Sequence, residues 1–333
     1  MSLPSTFRIA TRGSALALAQ ARQIQAQCQA AFPNLRFELS IIKTTGDKLQ
    51  SATAPEGELP KGLFTKEIEE ALLREEADLA VHSLKDLPTS LPPGLTLGAV
   101  TSRADVRDVL VYRELEYQLR HLDPSQPVRQ DRRSYRPALS IQGLPYRATV
   151  ATGSTRRAAQ LLEQRPDLRI VAIRGNVGTR LRKLSEQSEL DATLLALAGL
   201  QRLDLRINAQ GFLIGNELPP GLGATPLSVW EMLPCVGQGA LGIEIRAGDS
   251  RVTPICRTLN DTPTFTCVTA ERAFLQGMGG GCQLAVAAYA EMRNAELHLA
   301  GVSFLKGQAH RGQLSGSPER PEEIGSTLAT RLS

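Results

Sequence analysis

Leu79-Ala80-Val81-His82-Ser83-Leu84-Lys85-Asp86-Leu87-Pro88 is the stretch on which the reading of this chain turns. Leu79, Ala80 and Val81 make a short apolar run of the kind a buried strand needs. The run breaks into His82, Ser83, Lys85 and Asp86, and Pro88 stops any regular element from continuing. Open α/β sheets present chemistry in this way, because their ligands lie beyond the carboxyl ends of strands. Taken alone, the stretch fits an ordinary strand exit with a solvated Lys–Asp pair at least as well. The rest of the chain shifts that balance.

The 333 residues are too many for one ordinary core and call for two or three domains. With 42% hydrophobic and 22% charged residues, the composition is that of a soluble globular protein. Aromatic residues are only 4%, which argues against a base-stacking nucleic-acid platform. No apolar run approaches a membrane span, and Met1 to Thr6 leads straight into strand-like Phe7 to Thr11, leaving no room for a signal peptide. The five cysteines, Cys28, Cys235, Cys256, Cys267 and Cys282, are odd in number and lack CxxC spacing or nearby histidine pairs. Free thiols in a reducing cytoplasm are expected, with neither a disulfide framework nor a metal site.

The net charge of +4 is unevenly placed: residues 101–210 hold 19 basic residues, 18 of them arginine, against 12 acidic. Arginine grips carboxylate or phosphate through two parallel hydrogen bonds, so an anionic partner for the middle of the chain is one reading and solvated surface charge the other.

Arg12-Gly13-Ser14 turns out of the first strand, with Ser14 placed to cap a helix whose stripe is Ala17, Ala21, Ile24, Cys28 and Ala31. A strand over 37–42, a mobile loop over 50–62, a helix marked by Phe64, Ile68 and Leu72, and strands over 79–82 and 95–100 complete a half-sheet. The chain then crosses near 102–108, and residues 114–146, rich in Arg, Gln, Pro and Tyr, read as an exposed insertion without assigned chemistry. A second alternating unit follows. Ser154 caps a helix containing Arg156 and Arg157; a strand over 169–173 meets Arg174 and Arg180; a strand over 192–197 meets Arg202. Three short strands ending in arginine near helix N-termini make anion sites. Gly237-Gln238-Gly239-Ala240-Leu241-Gly242 spells the dinucleotide fingerprint, but Ile243-Glu244-Ile245 after it alternates like a strand, so the match is rejected and a hinge between domains is expected. The last portion carries a helix over 264–276, then Gly277-Met278-Gly279-Gly280-Gly281-Cys282-Gln283, two strand-like runs and a helix over 321–332. Cys282 is either an open thiol on a glycine loop or a small buried residue.

These residues together resemble the porphobilinogen deaminase (hydroxymethylbilane synthase) family of tetrapyrrole biosynthesis. The pieces that carry the resemblance are IATRGSALALAQ from Ile9, TTGD from Thr44, KGLFTKEIEEALL from Lys61, DLAVHSLKDLP from Asp78, ATGSTRRAAQL from Ala151, IRGNVGTR from Ile173, LALAGLQRL from Leu195, VGQGALGIE from Val236, and TAERAFL from Thr269 with GGGCQ ending at Gln283. They stand in family order over residues 7–290; beyond that only the general pattern agrees.

The resemblance implies an α/β fold of three domains. Residues 1–104 plus 237–257 form the first and 105–236 the second, resembling type II periplasmic binding protein lobes around a cleft. Residues 258–333 form a small α+β domain presenting the cofactor cysteine. It also implies a dipyrromethane cofactor bound through a thioether to Cys282 and a catalytic carboxylate at Asp86. Lys85, Ser83, Asp86, Thr152, Ser154, Arg156 and Arg157 would hold the cofactor, and Arg12, Ser14, Lys61, Arg174, Arg180, Arg202 and Gln238 the substrate. Porphobilinogen and the growing polypyrrole are the implied partners of a cytoplasmic monomer, with no nucleic acid, membrane or metal.

Two departures stand out: PEGELP before Lys61 lacks a lysine and a glycine pair that many members carry, and residues 114–146 run longer than usual. A two-lobed anion-binding protein would share fold and arginines but need neither Asp86 nor a glycine-framed cysteine. A nucleic-acid binder is disfavoured by the low aromatic content and modest charge.

Overall fold

The computed structural model describes residues 6–46, 65–121, 133–281 and 283–333. Five strands form the first sheet in the order Arg36–Ile42, Thr6–Arg12, Leu79–Ser83, Leu241–Arg246 and Leu95–Val100. The first three run parallel, and Leu241–Arg246 lies antiparallel between Leu79–Ser83 and Leu95–Val100. Helix Ala15–Ala31 covers one face because its stripe of Ala17, Ala21, Ile24 and Cys28 points inward, and Ser14 caps it by accepting from the Ala17 amide at 3.3 Å.

The second sheet repeats the plan in the order Leu222–Pro226, Asp108–Arg113, Ala192–Ala196, Thr149–Ala151 and Arg169–Val171. Here Asp108–Arg113 is the antiparallel strand. Each sheet has its own apolar core. A third, three-stranded antiparallel sheet, Val286–Arg293, Glu296–Ser303 and His310–Gly316, packs against helices Thr262–Gly277 and Pro321–Leu332. The strand His310–Gly316 escapes the sequence reading because polar residues and glycines dominate it. The protein is therefore α/β with several separately packed sheets. Among the described residues no helix is long and apolar enough to cross a membrane.

Two chain segments, 101–107 and 227–240, run between the first two sheets. The Ala104 amide donates to the Gly239 carbonyl at 3.1 Å, and Arg103 Nε to the Gln238 carbonyl at 2.9 Å. A Cβ on Gly239, whose φ is +88°, would sit 2.5 Å from the Ala104 carbonyl oxygen, so only glycine admits this approach. Leu241–Arg246 follows as a strand, the reason the dinucleotide spelling fails. Arg103 also grips buried Glu271 of helix Thr262–Gly277 with two hydrogen bonds, at 2.6 and 3.0 Å.

Residues 114–146 depart from the exposed insertion expected of them. Helix Leu115–Arg120 buries no residue, but Ile141 and Leu144 are fully buried beside Leu110, Tyr112 and Val150. Fully buried Arg113 donates to the carbonyls of Arg133 and Leu184, and the Tyr135 hydroxyl donates to Asp191 at 2.5 Å. The apolar positions are too widely spaced to form a strand or helix period, which conceals their burial from a pattern reading. Residues 122–132 lie outside the described residues.

Candidate active site

Leu79 to His82 are buried at the centre of the first sheet, and the ladder to Leu241–Arg246 ends at Ser83. A single 3₁₀ turn, Leu84–Asp86, follows. Leu84 and Leu87 turn inward onto Val100, Ala240 and Val268, which leaves Lys85 half-buried and Asp86 exposed. Among the described residues the Asp86 carboxylate makes no hydrogen bond or ion pair. Burial pulls the Lys85 ammonium below its usual pKa, with the charge of Asp86 working against that and Arg157 adding to it. Ser83 Oγ accepts from Gln20 Nε2 at 2.7 Å. Arg12 closes the strand Thr6–Arg12, and with Ser14, Gln20, His82, Ser83 and Asp86 it lines one small cavity.

The facing groups come from the strand ends of the second sheet. Thr152 Oγ1 accepts from the Ser154 amide at 3.2 Å, and Ser154 Oγ from the Arg157 amide at 3.4 Å, which caps helix Thr155–Gln164 as expected. Arg156 and Arg157, read from the sequence as ligand carboxylate binders, already have a carboxylate. Both guanidinium groups lie 2.7 Å from the fully buried Asp108, and they also donate to the carbonyls of Leu233 and Leu194. Two cations 4% and 6% exposed need a counter-charge, and Asp108 supplies it. Burial pushes the Asp108 pKa up, but Arg156 and Arg157 together hold it well below the carboxylate range. One positive charge is left over, and among the described residues the Nε atoms of both arginines have no hydrogen-bond partner.

Arg174 is exposed beyond the strand Arg169–Val171. Arg180, on helix Val177–Glu186, donates from Nε to the Gly175 carbonyl at 2.8 Å. Burial and Arg157 lower its pKa while Asp86 raises it, so it lies within the field of the acid. Arg202 donates to the Gly239 carbonyl at 2.6 Å, and burial brings its pKa down to about 10. Gln238 lies where the two crossing segments meet. Its amide donates to the Val106 carbonyl at 2.7 Å and to Asp108 at 3.0 Å, and the residue is 1% exposed, so its donor end braces the two crossing segments. The turn made by Gly237 and Gly239, both at positive φ, directs it inward. A second cavity gathers Gln20, Ser83, Lys85, Gly199, Arg202 and Gln238 from both sheets and the returning segment. Neither cavity is lined by Thr152, Ser154 or Arg174.

Lys61 and Cys282 lie outside the described residues. On either side of Cys282, an added Cβ on Gly280 would stand 3.3 Å from Thr89 Oγ1, and Thr155 Oγ1 donates to the Gln283 carbonyl at 2.7 Å. The flanks of Cys282 therefore touch the segment after Asp86 and the helix that carries Arg156.

Gln20, Asp108 and the buried pair His82–Glu244, with Nε2 and Oε2 3.0 Å apart, were not assigned roles from the sequence. Each left a trace: Gln20 sits on the apolar helical stripe, Asp108 heads the run Val109 to Tyr112, and Glu244 interrupts the alternation of Ile243 and Ile245. A polar residue in a core position marks a partner but does not name it.

Residues 7–254 match the family model of the porphobilinogen deaminase dipyrromethane cofactor binding domain, and residues 265–333 that of the porphobilinogen deaminase C-terminal domain. The family match thus extends past residue 290, where the motif resemblance ended. The porphobilinogen deaminase of Syntrophomonas wolfei subsp. wolfei is 42% identical over 329 residues, spanning 98% of this chain and 94% of that one. That of Desulforudis audaxviator is 43% identical over 327 residues, spanning 97% and 93%. That of Moorella thermoacetica is 42% identical over 329 residues, spanning 98% and 92%. With both family models matched in sequence order and relatives aligned almost end to end, the chain belongs to the porphobilinogen deaminase family.

Proposed function

We propose that Asp86 is the catalytic carboxylate of this enzyme and that Cys282 anchors its dipyrromethane primer through a thioether bond. The reaction is that of the family: four porphobilinogen molecules are deaminated in turn, joined head to tail on the primer, and released by hydrolysis as hydroxymethylbilane for tetrapyrrole biosynthesis. The observation that carries the residue assignment is the exposed, unpartnered Asp86 carboxylate at a strand end, within the fields of Lys85 and Arg180.

The donor set fits a group bearing several carboxylates. Lys85 and Arg180 each lie within the fields of Arg157 and Asp86, so the surplus charge of the Arg156–Asp108–Arg157 cluster adds to theirs. When bound, the dipyrrole supplies the free α-carbon to which the first substrate is joined. As ammonia leaves porphobilinogen, positive charge develops on the substrate pyrrole. Asp86 accepts a hydrogen bond from the pyrrole N–H and stabilises that charge, and its carboxylate oxygen takes up the proton displaced on carbon–carbon bond formation. Each ring brings an acetate and a propionate, and Arg12, Lys61, Lys85, Arg174, Arg180 and Arg202 bind those anions while Ser14, Ser83, Thr152 and Ser154 add hydrogen bonds. In this reading 1–104 with 237–257 and 105–236 are two lobes around a cleft. Residues 258–333 form the third domain, which brings the cysteine to that cleft, and the working form is a cytoplasmic monomer.

Intact mass tests the anchor. The purified protein is expected to exceed its sequence mass by one dipyrrole, to colour with Ehrlich's reagent, and to lose both properties in Cys282→Ser. Active protein with the unmodified sequence mass would refute it.

A further inference from the structure

We infer that Arg272 is a positioning residue for the proposed Asp86 chemistry, holding the turn that carries the acid in register with the glycine-rich loop at the end of its own helix. The inference rests on the reading of Asp86 given above. Arg272 projects from helix Thr262–Gly277, and its guanidinium donates to the carbonyls of Leu87 at 3.2 Å, Pro88 at 2.6 Å and Thr89 at 3.2 Å. These carbonyls follow Asp86 directly. They belong to a segment outside any strand, so no sheet ladder fixes them.

The same helix face meets the turn again one helical step earlier, where Val268 packs against Leu84 and Leu87. The turn is thus gripped from beneath by apolar contact and from its outgoing side by a charged fork. On its incoming side, His82 is paired with Glu244, and both are buried. Glu244 also faces Arg272 electrically: burial brings the guanidinium pKa down to about 10, and the Glu244 carboxylate opposes that fall. Past Gly277, Gly280 runs close to Thr89, the residue whose carbonyl Arg272 holds. Arg272 therefore ties together the acid's turn and the backbone leading to the cysteine.

The neighbouring residue makes the proposal testable. Glu271 independently docks the helix, accepting from Arg103 and from the amides of Gly237 and Ala290, each amide at 2.8 Å. Loss of Arg272 leaves that anchor in place. A displacement of the order of an ångström between reacting groups costs up to about 100-fold in rate, so Arg272→Met is expected to lower kcat by about 10- to 100-fold. KM for porphobilinogen should stay within about twofold, since no uniform binding contact is removed. Arg272→Lys, which keeps the charge but not the planar fork, should fall between wild type and Arg272→Met.

The decisive measurement is a double-mutant cycle in kcat with Asp86→Glu. Arg272 acting through the acid predicts that Arg272→Met costs clearly less in the Asp86→Glu background than in the wild type. An equal cost in both backgrounds, a wild-type kcat in Arg272→Met, or a loss confined to KM would overturn the inference. Should Arg272→Met fail to fold, Arg272→Lys enters the same cycle, and a wild-type kcat or an additive loss there overturns it equally. A fully active Asp86→Glu and Asp86→Asn would instead sink the reading of Asp86 itself.

Discussion

The turn after Leu79–Ser83 leaves the central strand of the first sheet, the turn after Thr149–Ala151 leaves a strand one place off centre in the second, and the two treat charge in opposite ways. In the first, Asp86 is exposed and makes no hydrogen bond or ion pair among the described residues. In the second, Arg156 and Arg157 are buried and each lies 2.7 Å from Asp108. The first turn is supported by neighbours that grip its backbone and apolar side chains, the second by an ionic cluster within the fold. An unpaired carboxylate can respond to a substrate's developing charge without first giving up a protein partner. A locked guanidinium pair instead presents one surplus positive charge in a fixed place, with no reorganisation cost on binding.

Asp86→Asn should test this contrast most sharply. Turnover of porphobilinogen is expected to fall by about 100- to 10,000-fold, the range for loss of a positioned proton-transfer group. The unfolding midpoint should stay where it is, because the carboxylate holds nothing in the fold. Retained turnover would remove Asp86 from its proposed role, and a large loss of stability would show that the first turn has a polar support not seen in its hydrogen bonds.

Asp108→Asn is the mirror experiment. It leaves two buried guanidinium groups facing each other without their counter-charge, and denaturant unfolding should register a loss of about 3–5 kcal/mol. The acid dependence sharpens the test. Asp108 has a folded pKa below its unfolded value, so its contribution is complete above the unfolded carboxylate value of about 4 and is lost as pH falls through the folded one. Wild-type stability should therefore decline below about pH 4, and Asp108→Asn should show a shallower decline over the same range. Some slope will remain, since hydrogen bonds from Arg251 and Arg246 bring Asp249 down to about 2 against its burial. A variant as stable as wild type, with an unchanged slope, would mean that the arginines do not depend on this acid.

The two turns also differ in how much of them could be read from the sequence. Lys85 and Asp86 follow an apolar run and precede a proline, and Ser14 and Ser154 stand where caps belong; such signals are local and survive in one dimension. The partners are not local. Asp108 is 49 residues from Arg157, Gln20 is 63 from Ser83, and Arg272 is 184 from Pro88. No period links such pairs, so the sequence marks Arg156 and Arg157 as cations but not as already paired ones. Within 114–146, read as an exposed insertion, the buried part at 139–144 is missed for a related reason. Ile141 and Leu144 pack beside Leu110, Tyr112 and Val150 from an irregular segment, where neither a 3.6- nor a 2-residue rhythm reports burial.

Gln20→Met offers the smallest and most discriminating check on the contrast. Gln20 is 2% exposed, and among the described residues its amide is the one side chain that bonds Ser83, at the edge of the acid's turn. The substitution keeps the volume while removing the hydrogen bond. Ser83 is only half-buried, so its hydroxyl can turn to water, and the net loss should be about 1 kcal/mol, well short of that for Asp108→Asn. Turnover should fall far less than in Asp86→Asn, because the turn keeps the grip of Leu84, Leu87 and Val268. If unfolding measurements instead gave a cost matching that of Asp108→Asn, the first turn would also be standing on a buried polar network. The freedom of Asp86 would then have to be traced to the rigidity of Gln20 and Ser83, and not to the apolar seat beneath Leu84.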